Sequence, residues 1–430
     1  MLKHVASVFL VLWAVPAIAW YDGVEYVPGE AVFATDSSVS QLVGDYKLRK
    51  LNRGRQELMG GTFLIQFNKR LEGEELRDKA LELAKSVNAR FVEPNLVFKL
   101  NEVPNDPLFG DLYGLDNQGQ TGGTIGADIK AVEAWDTSVG SKDILVAIID
   151  TGVDYEHPDL KENIWQNAGE LGLDEEGEDK SSNGIDDDGN GYIDDVQGWD
   201  FYNDDNDPMD DHDHGTHCAG TVGAVGNNDV GVVGVNWNVS MLPVKIFSGR
   251  GRTTVAAATE GIYYSNDMGV HISSNSWGGT RLSSAIKEAV EESESLGVLF
   301  IAAAGNSNND TDTKPHYPSG YQFENIISVA ATDHDDKLAS FSNYGLKTVD
   351  LAAPGVNIYS TKPGAKYRYM SGTSMAAPHV AGAAALLWSV YPEADFVEIK
   401  DRLLSGTESM EAHKKPISNG RLNIMGALTN

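Results

Sequence analysis

The run 376–388 constrains this chain more than any other stretch. Thirteen residues pass without one carboxylate, ammonium or guanidinium, and most of them are Ala, Gly or Leu. It reads as a helix that is apolar on every side, and such a helix has to be enclosed by the rest of the fold. Its leading edge lies in Tyr369-Met-Ser-Gly-Thr-Ser-Met-Ala-Ala-Pro-His-Val-Ala-Gly382, where small residues crowd around one hydroxyl, Ser374. Ser374 is therefore expected at or near the helix N-terminus. Free backbone N–H groups there favour developing negative charge. A serine in that place ordinarily caps the helix. It becomes a nucleophile where a base stands beside it.

Strands and helices alternate ahead of that helix. Ile144-Leu-Val-Ala-Ile-Ile149 is a continuous apolar run, as expected of a buried parallel strand. The runs 241–246, 270–274, 298–302 and 326–329 read as further strands, with helices at 254–268 and 283–296. This is an α/β pattern, in which sites form at the carboxyl ends of the strands. Residues 20–100 read as a separate small α+β unit, with strands at 26–33, 62–67 and 91–98 and an amphipathic helix at 74–87. The domain boundary is placed near residue 101, so that 101–430 form the larger domain.

The first nineteen residues carry Lys3, an apolar run and a small-x-small end at Ala17-Ile-Ala19. They read as a secretory signal peptide, too short to span a membrane. No later run is long enough to span one either. The mature protein is therefore expected to be exported, extracellular or periplasmic, without a membrane anchor, and to act as a monomer. The single cysteine, Cys218, excludes an intramolecular disulfide. Net charge is −30, and it is concentrated: residues 170–213 hold eighteen Asp and Glu against one Lys. Such a block is solvated or binds cations, and it makes nucleic acid an unsuitable partner. Residues 20–100 hold twelve charges of each sign.

Three further residues stand in catalytic contexts. Asp150 ends the 144–149 strand in Ile148-Ile-Asp-Thr-Gly-Val-Asp154. His214 lies in Asp213-His-Gly-Thr-His-Cys-Ala-Gly220 and is the natural base near neutral pH. Asn306 ends Phe300-Ile-Ala-Ala-Ala-Gly-Asn306, where a side-chain amide can donate to an oxyanion. Each alone has an ordinary reading: a cap for Asp150, a turn residue for Asn306. Together with Ser374 they run Asp, His, Asn, Ser, the subtilisin order of a Ser-His-Asp triad.

On these motifs the chain resembles the subtilisin-like serine endopeptidases, the subtilases, from about Pro104 to Leu428. The resemblance implies a three-layer α/β fold with a mostly parallel central sheet, protein or peptide substrates, and an Asp150–His214–Ser374 triad with Asn306 as oxyanion donor. Ser276, Trp277, Gly278 and Gly279, in Ser274-Asn-Ser-Trp-Gly-Gly279, correspond to the strip that pairs with substrate backbone. Ala303 and Gly305, with Tyr317 and Pro318, are small or apolar pocket candidates and suggest broad side-chain acceptance. Residues 20–100 resemble the subtilase propeptide, a ferredoxin-like unit that assists folding, inhibits the protease and is cut away. The chain's own propeptide is thus an expected partner.

Calcium is the expected cofactor, at two or more structural sites. Asp186, Asp188 and Asn190 occupy positions 1, 3 and 5 of an EF-hand-like loop, with Gly191 at 6 and Tyr192 at 7. Position 12 is Gln197 instead of Glu, so Asp194 or Asp195 would complete the shell. By resemblance, Asp159 and Asn228 match the high-affinity subtilase site, with Asp106 joining them as in thermitase-like members. Asp200, Asp205 and Asp207 match a second thermitase-like site. Two rival readings remain. One is a zinc hydrolase using His212, His214 and His217. The other is a calcium-binding surface or adhesion module derived from a protease.

Overall fold

The enclosed helix is the centre of the larger unit. A computed structural model describes residues 26–39, 42, 44–51, 60–97, 103–410 and 420–430. The signal-peptide reading and residue 98 of the expected last strand lie outside the described residues. The chain divides between Leu100 and Asn101 into two compact units.

The first unit contains β1 (Tyr26–Thr35), β2 (Tyr46–Lys50), β3 (Gly61–Phe67), α1 (Gly73–Ser86) and β4 (Phe91–Leu96). The strands form an antiparallel sheet in the order β2-β3-β1-β4. Helix α1 covers it through Leu76, Ala80, Leu83 and Ala84, and Ala80, Leu83 and Ala84 share one core with Phe33, Phe63, Ile65 and Val92. Among the described residues the unit has one helix, whereas the β-α-β-β-α-β pattern carries two.

The second unit is built on β5 (Gly140–Asp150), β6 (Trp199–Asp200), β7 (Asn238–Lys245), β8 (Ile272–Asn275), β9 (Leu299–Ala303), β10 (Ile326–Thr332) and β11 (Leu351–Pro354). A hairpin of β12 (Ile358–Lys362) and β13 (Lys366–Met370) stands apart, and β14 (Glu408–Ser409) and β15 (Gly420–Arg421) finish the main sheet. The nine-stranded order is β14-β15-β11-β10-β9-β8-β5-β7-β6. Only the β14–β15 pairing is antiparallel. In β5 the residues alternate between two cores. Ile144, Val146 and Ile148 face one side, while Leu145, Ala147 and Ile149 face the other. That double burial is why the run is continuously apolar. Each such Ile or Val contributes about 1.5–3 kcal/mol when fully buried.

The helices are α2 (Ala131–Trp135), α3 (His214–Gly223), α4 (Val255–Asp267), α5 (Ser284–Ser295), α6 (Thr373–Val390), α7 (Phe396–Ser405) and α8 (Ile424–Thr429). Helices α4 and α5 cover one face of the sheet, and α3, α6, α7 and α8 the other. This gives three layers. Thr254 and Ser283, expected inside α4 and α5, are instead their N-caps. In α6 every residue from Thr373 to Trp388 is buried except Ser374. Chain order reverses around β5: its neighbours β7 and β8 lie on opposite sides. Such a switch point opens a crevice at the strand ends, where α/β proteins bind ligands.

Candidate active site and calcium positions

Asp150 is the last residue of β5, and its side chain is buried at the switch point. Helix α3 starts at His214 and approaches this strand end closely. A β-carbon on Gly215 would lie 2.1 Å from Gly152 O, so only glycine permits that approach. His214 Nδ1 consequently lies 2.7 Å from Asp150 Oδ1. The Thr151 N–H donates to the same oxygen at 2.7 Å and fixes the carboxylate. An ionised carboxylate only accepts, so Nδ1 carries the hydrogen and neutral His214 leaves Nε2 as a base. Burial alone would push His214 down. The adjacent Asp150 carboxylate, with Cys218 behind it, more than offsets that and holds the imidazole well above its ordinary 6.5.

Ser374 is the second residue of α6, behind the N-cap Gly372. Its Oγ donates to Ser276 O at 2.9 Å, and not to His214. Asn306 Oδ1 accepts from Thr373 N at 2.8 Å and from Thr373 Oγ1 at 3.0 Å, which fixes the amide. Asn306 Nδ2 and the Ser374 N–H take no partner among the described residues. Both face one small space: a β-carbon built on Gly372 would lie 3.5 Å from Asn306 Nδ2 and 3.6 Å from Ser374 N. Two convergent donors beside a hydroxyl are what an oxyanion requires.

All four side chains line one open cleft of about 730 Å³, together with Ser276, Trp277, Gly278, Gly279, Ala303 and Gly305. Gly279 is already paired with Tyr317 through two backbone bonds of 2.8 and 2.7 Å. The backbone groups of Trp277 and Gly278 take no partner among the described residues. They are free to bind an extended peptide. His316, which the sequence reading passed over, also lines the cleft.

Residues 141–423 match the subtilase family. The chain is 40% identical over 287 residues to thermitase of Thermoactinomyces vulgaris, spanning 66% of this chain and 85% of that protein. It is 35% identical over 340 residues to the thermophilic serine proteinase of Bacillus sp. strain AK1, spanning 79% and 72%. The chain belongs to the subtilase family. A solved protease of Pseudoalteromonas arctica PAMC 21717 superposes with a TM-score of 0.60 at 29% identity, covering 76% of this subtilase and 99% of that chain. The subtilase is accordingly a serine endopeptidase with the family's three-layer α/β architecture.

The three histidines of the zinc reading do not converge in this subtilase. His217 Nε2 turns to Ile358 O at 3.0 Å, and burial pushes its pKa down to about 3. His212 is exposed, its ring centre 6.5 Å from that of His214. Cys218 lies on the same helix, buried, with Sγ 3.9 Å from His214 Nδ1 and 3.4 Å from Ser374 O.

The acidic positions sort into three cases. Asp159 and Asp106 are 0% and 4% exposed, and burial pushes Asp159 up to about 6. Asn228 Nδ2 donates to Asp159 Oδ1 at 3.0 Å, and Asp106 Oδ1 is buried without a partner. Two buried carboxylates with a carboxamide and an orphaned oxygen suit a hard cation. In the 186–195 loop, Asp188 and Asp195 converge with Glu170, their ligand oxygens within 4.8 Å of one another. Glu170 Oε2 is buried and unpaired, and Asn167 and Asn190 hydrogen-bond the two aspartates. Glu170 and Asn167 were not read from the sequence. Asp186 instead spends both carboxylate oxygens on the N–H groups of Gly189, Asn190 and Gly191. Asp194 turns to the Gly184 N–H, and the Tyr192 ring packs on Trp199, Phe201 and Tyr264.

The third set is not assembled. Asp200, Asp205 and Asp207 form no such cluster among the described residues. Asp200 already has a buried cation beside it, Lys245 Nζ at 3.8 Å, and its oxygens accept from Tyr202 and Asn203. Asp207 is held by the Tyr155 hydroxyl at 2.9 Å.

Proposed function

We propose that the chain is the precursor of a secreted, calcium-stabilised endopeptidase that cuts protein substrates through Asp150, His214 and Ser374. The observation that carries this reading is the 2.7 Å Asp150–His214 bond, sharing one cleft with Ser374 at the start of α6. Ser374 Oγ leaves Ser276 O, gives its proton to His214 Nε2 and attacks the scissile carbonyl. His214 then passes that proton to the leaving amine. Asp150 holds the tautomer and stabilises the imidazolium. Asn306 Nδ2 and the Ser374 N–H receive the oxyanion. The free backbone of Trp277 and Gly278 aligns the peptide.

Calcium would be held by Asp159, Asp106 and Asn228, and by Glu170, Asp188 and Asp195. It would supply structural charge neutralisation and no chemistry at the scissile bond. Residues 20–100 are read as the inhibitory propeptide, supported by their separate core and balanced charge. Removal near residues 100–106 is read as self-cleavage, so Ser374→Ala should accumulate uncut. Normal processing of that purified variant would refute self-cleavage. The test of the reaction is stoichiometric labelling of Ser374 by a phosphonyl fluoride with parallel loss of peptide hydrolysis. Full activity after labelling would refute the triad, and loss of activity to chelation alone at fixed folding would favour a metallohydrolase.

A further inference from the structure

His316 sits half-buried at the edge of the cleft, in the segment between β9 and β10. Two glycines face its ring from different chain segments. A β-carbon on Gly278 would lie 2.4 Å from His316 Cε1 and 3.0 Å from Nε2. A β-carbon on Gly305 would lie 2.9 Å from Cδ2 and 3.0 Å from Nε2. The Nε2 edge of the imidazole therefore spans the gap between these two walls. Those walls flank the nucleophile. Gly278 follows Ser276, whose carbonyl holds Ser374 Oγ, and Gly305 precedes Asn306. A substrate residue with its carbonyl at Ser374 would send its side chain between Gly278 and Gly305.

The polarity of this ring edge follows from its other nitrogen. Ser319 Oγ donates its hydrogen to His316 O at 3.2 Å. With that hydrogen on the carbonyl, the 3.1 Å contact between Ser319 Oγ and Nδ1 has Nδ1 as donor, and this is the tautomer we assign. Burial pushes His316 below its ordinary value and keeps it neutral. Nε2 is left as a bare acceptor without a partner among the described residues.

We propose that His316 is a specificity-determining residue, flooring the pocket for the side chain next to the scissile bond and selecting glutamine over apolar and large aromatic residues. The ring shortens the pocket, which disfavours aromatics. Its acceptor needs a donor, which a glutamine amide supplies and a methionine of similar length does not. A site that hydrogen-bonds its substrate rejects analogues lacking the group, because its own polar atom is left unpaired. This assignment rests on the endopeptidase reading.

The experiment uses the mature protein and three peptides differing only at the cut residue: Gln, Met or Phe. Rates are expressed per active site, counted with a phosphonyl fluoride. We expect wild type to favour Gln over Met by about tenfold or more in kcat/KM, with Phe slower still. In His316→Ala the Gln-to-Met ratio should fall towards one, and Phe cleavage should rise about tenfold. Wild type cutting after Met or Phe as fast as after Gln, or a variant with an unchanged profile, would overturn the assignment. Labelled enzyme without glutamine preference refutes only this inference. Enzyme that neither labels nor cuts refutes the endopeptidase reading beneath it. If His316→Ala does not titrate, the wild-type Gln-to-Met ratio alone decides.

Discussion

Ser276 and Ser374 exchange hydrogen bonds in both directions: Ser374 Oγ donates to Ser276 O at 2.9 Å, and Ser276 Oγ donates to Ser374 O at 2.8 Å. The strip that would align substrate is thereby tied to the turn that carries Ser374. Ser276→Ala removes one of these bonds, worth about 0.5–1.5 kcal/mol of stability. A shift of about 1 Å at a reacting group costs up to about 10²-fold. Ser276→Ala should therefore lower kcat more than its melting temperature suggests. Unchanged kcat, measured beside a thermal melt, would show that the pairing does not position Ser374.

Asp150→Asn should keep the fold and lower kcat by about 10⁴-fold, because the amide no longer specifies the required His214 tautomer. The pH profile gives a second readout. The proposed mechanism needs neutral His214, so activity should fall as pH drops through its pKa. Asp150 holds that pKa well above 6.5, so the wild-type acid limb should lie above 6.5. In the variant the limb should move to lower pH. For stability the sign is opposite: the contribution of the Asp150–imidazolium pair is complete below about 6.5 and disappears as pH rises through the raised value. An acid limb that does not move in residual-rate measurements would contradict the pairing.

Asn306→Leu removes one of the two donors facing the Gly372 space. The expected loss is about 10²–10³-fold in kcat, the size established for such an amide in subtilisin itself. KM should change little, since the oxyanion forms only in the transition state. A loss confined to KM would place Asn306 in substrate binding instead.

Chelation should lower the melting temperature of the Ser374→Ala mature domain, a variant that separates unfolding from self-digestion. Binding to the native state alone adds about 2.7 kcal/mol at a hundredfold excess over Kd. Glu170→Gln and Asp188→Ala should each reproduce part of the loss. Asp159 supplies the pH dependence. Its folded pKa of about 6 stands above the ordinary 3.8, so its contribution without calcium is lost as pH rises through about 6. The chelator effect should therefore be larger at about pH 8 than at about pH 5. Superimposable melts with and without calcium would leave the acidic block a solvated surface.

Cys218 Sγ donates to Ser374 O at 3.4 Å. Mercurials should inhibit by pushing the Ser374 turn, and slowly, because burial raises the thiol and restricts access. Cys218→Ala should stay active and resist them. Equal mercury sensitivity in the variant would remove Cys218 as the target.

The residues that share the cleft could be picked out from the sequence because a triad would demand particular residue types at strand ends and a helix start. Asp150 stands at the end of a run whose double burial shows in its composition, and Ser374 precedes a helix with no polar face. Long-range assembly was not legible. Glu170 reaches Asp188 and Asp195 only because the acidic segment folds back, which no local spacing encodes. Lys245 reads as one charge in a strand, yet its ammonium lies beside Asp200, where a calcium ligand was expected. The strands β6, β14 and β15 have two residues each, too few to show a period. The expectation of a permissive pocket came from Ala303 and Gly305. It did not foresee an imidazole edge lying against both Gly278 and Gly305.

Helix α6 carries Ser374 at one end and packs along its length on β5, β8, β9, β10, β11 and α3. Its register is settled only when those partners are in place. A chain that has not finished folding therefore carries Ser374 without the neighbours that shape its cleft. The cleft around Ser374 is thus a product of the closed interior and not of the local sequence.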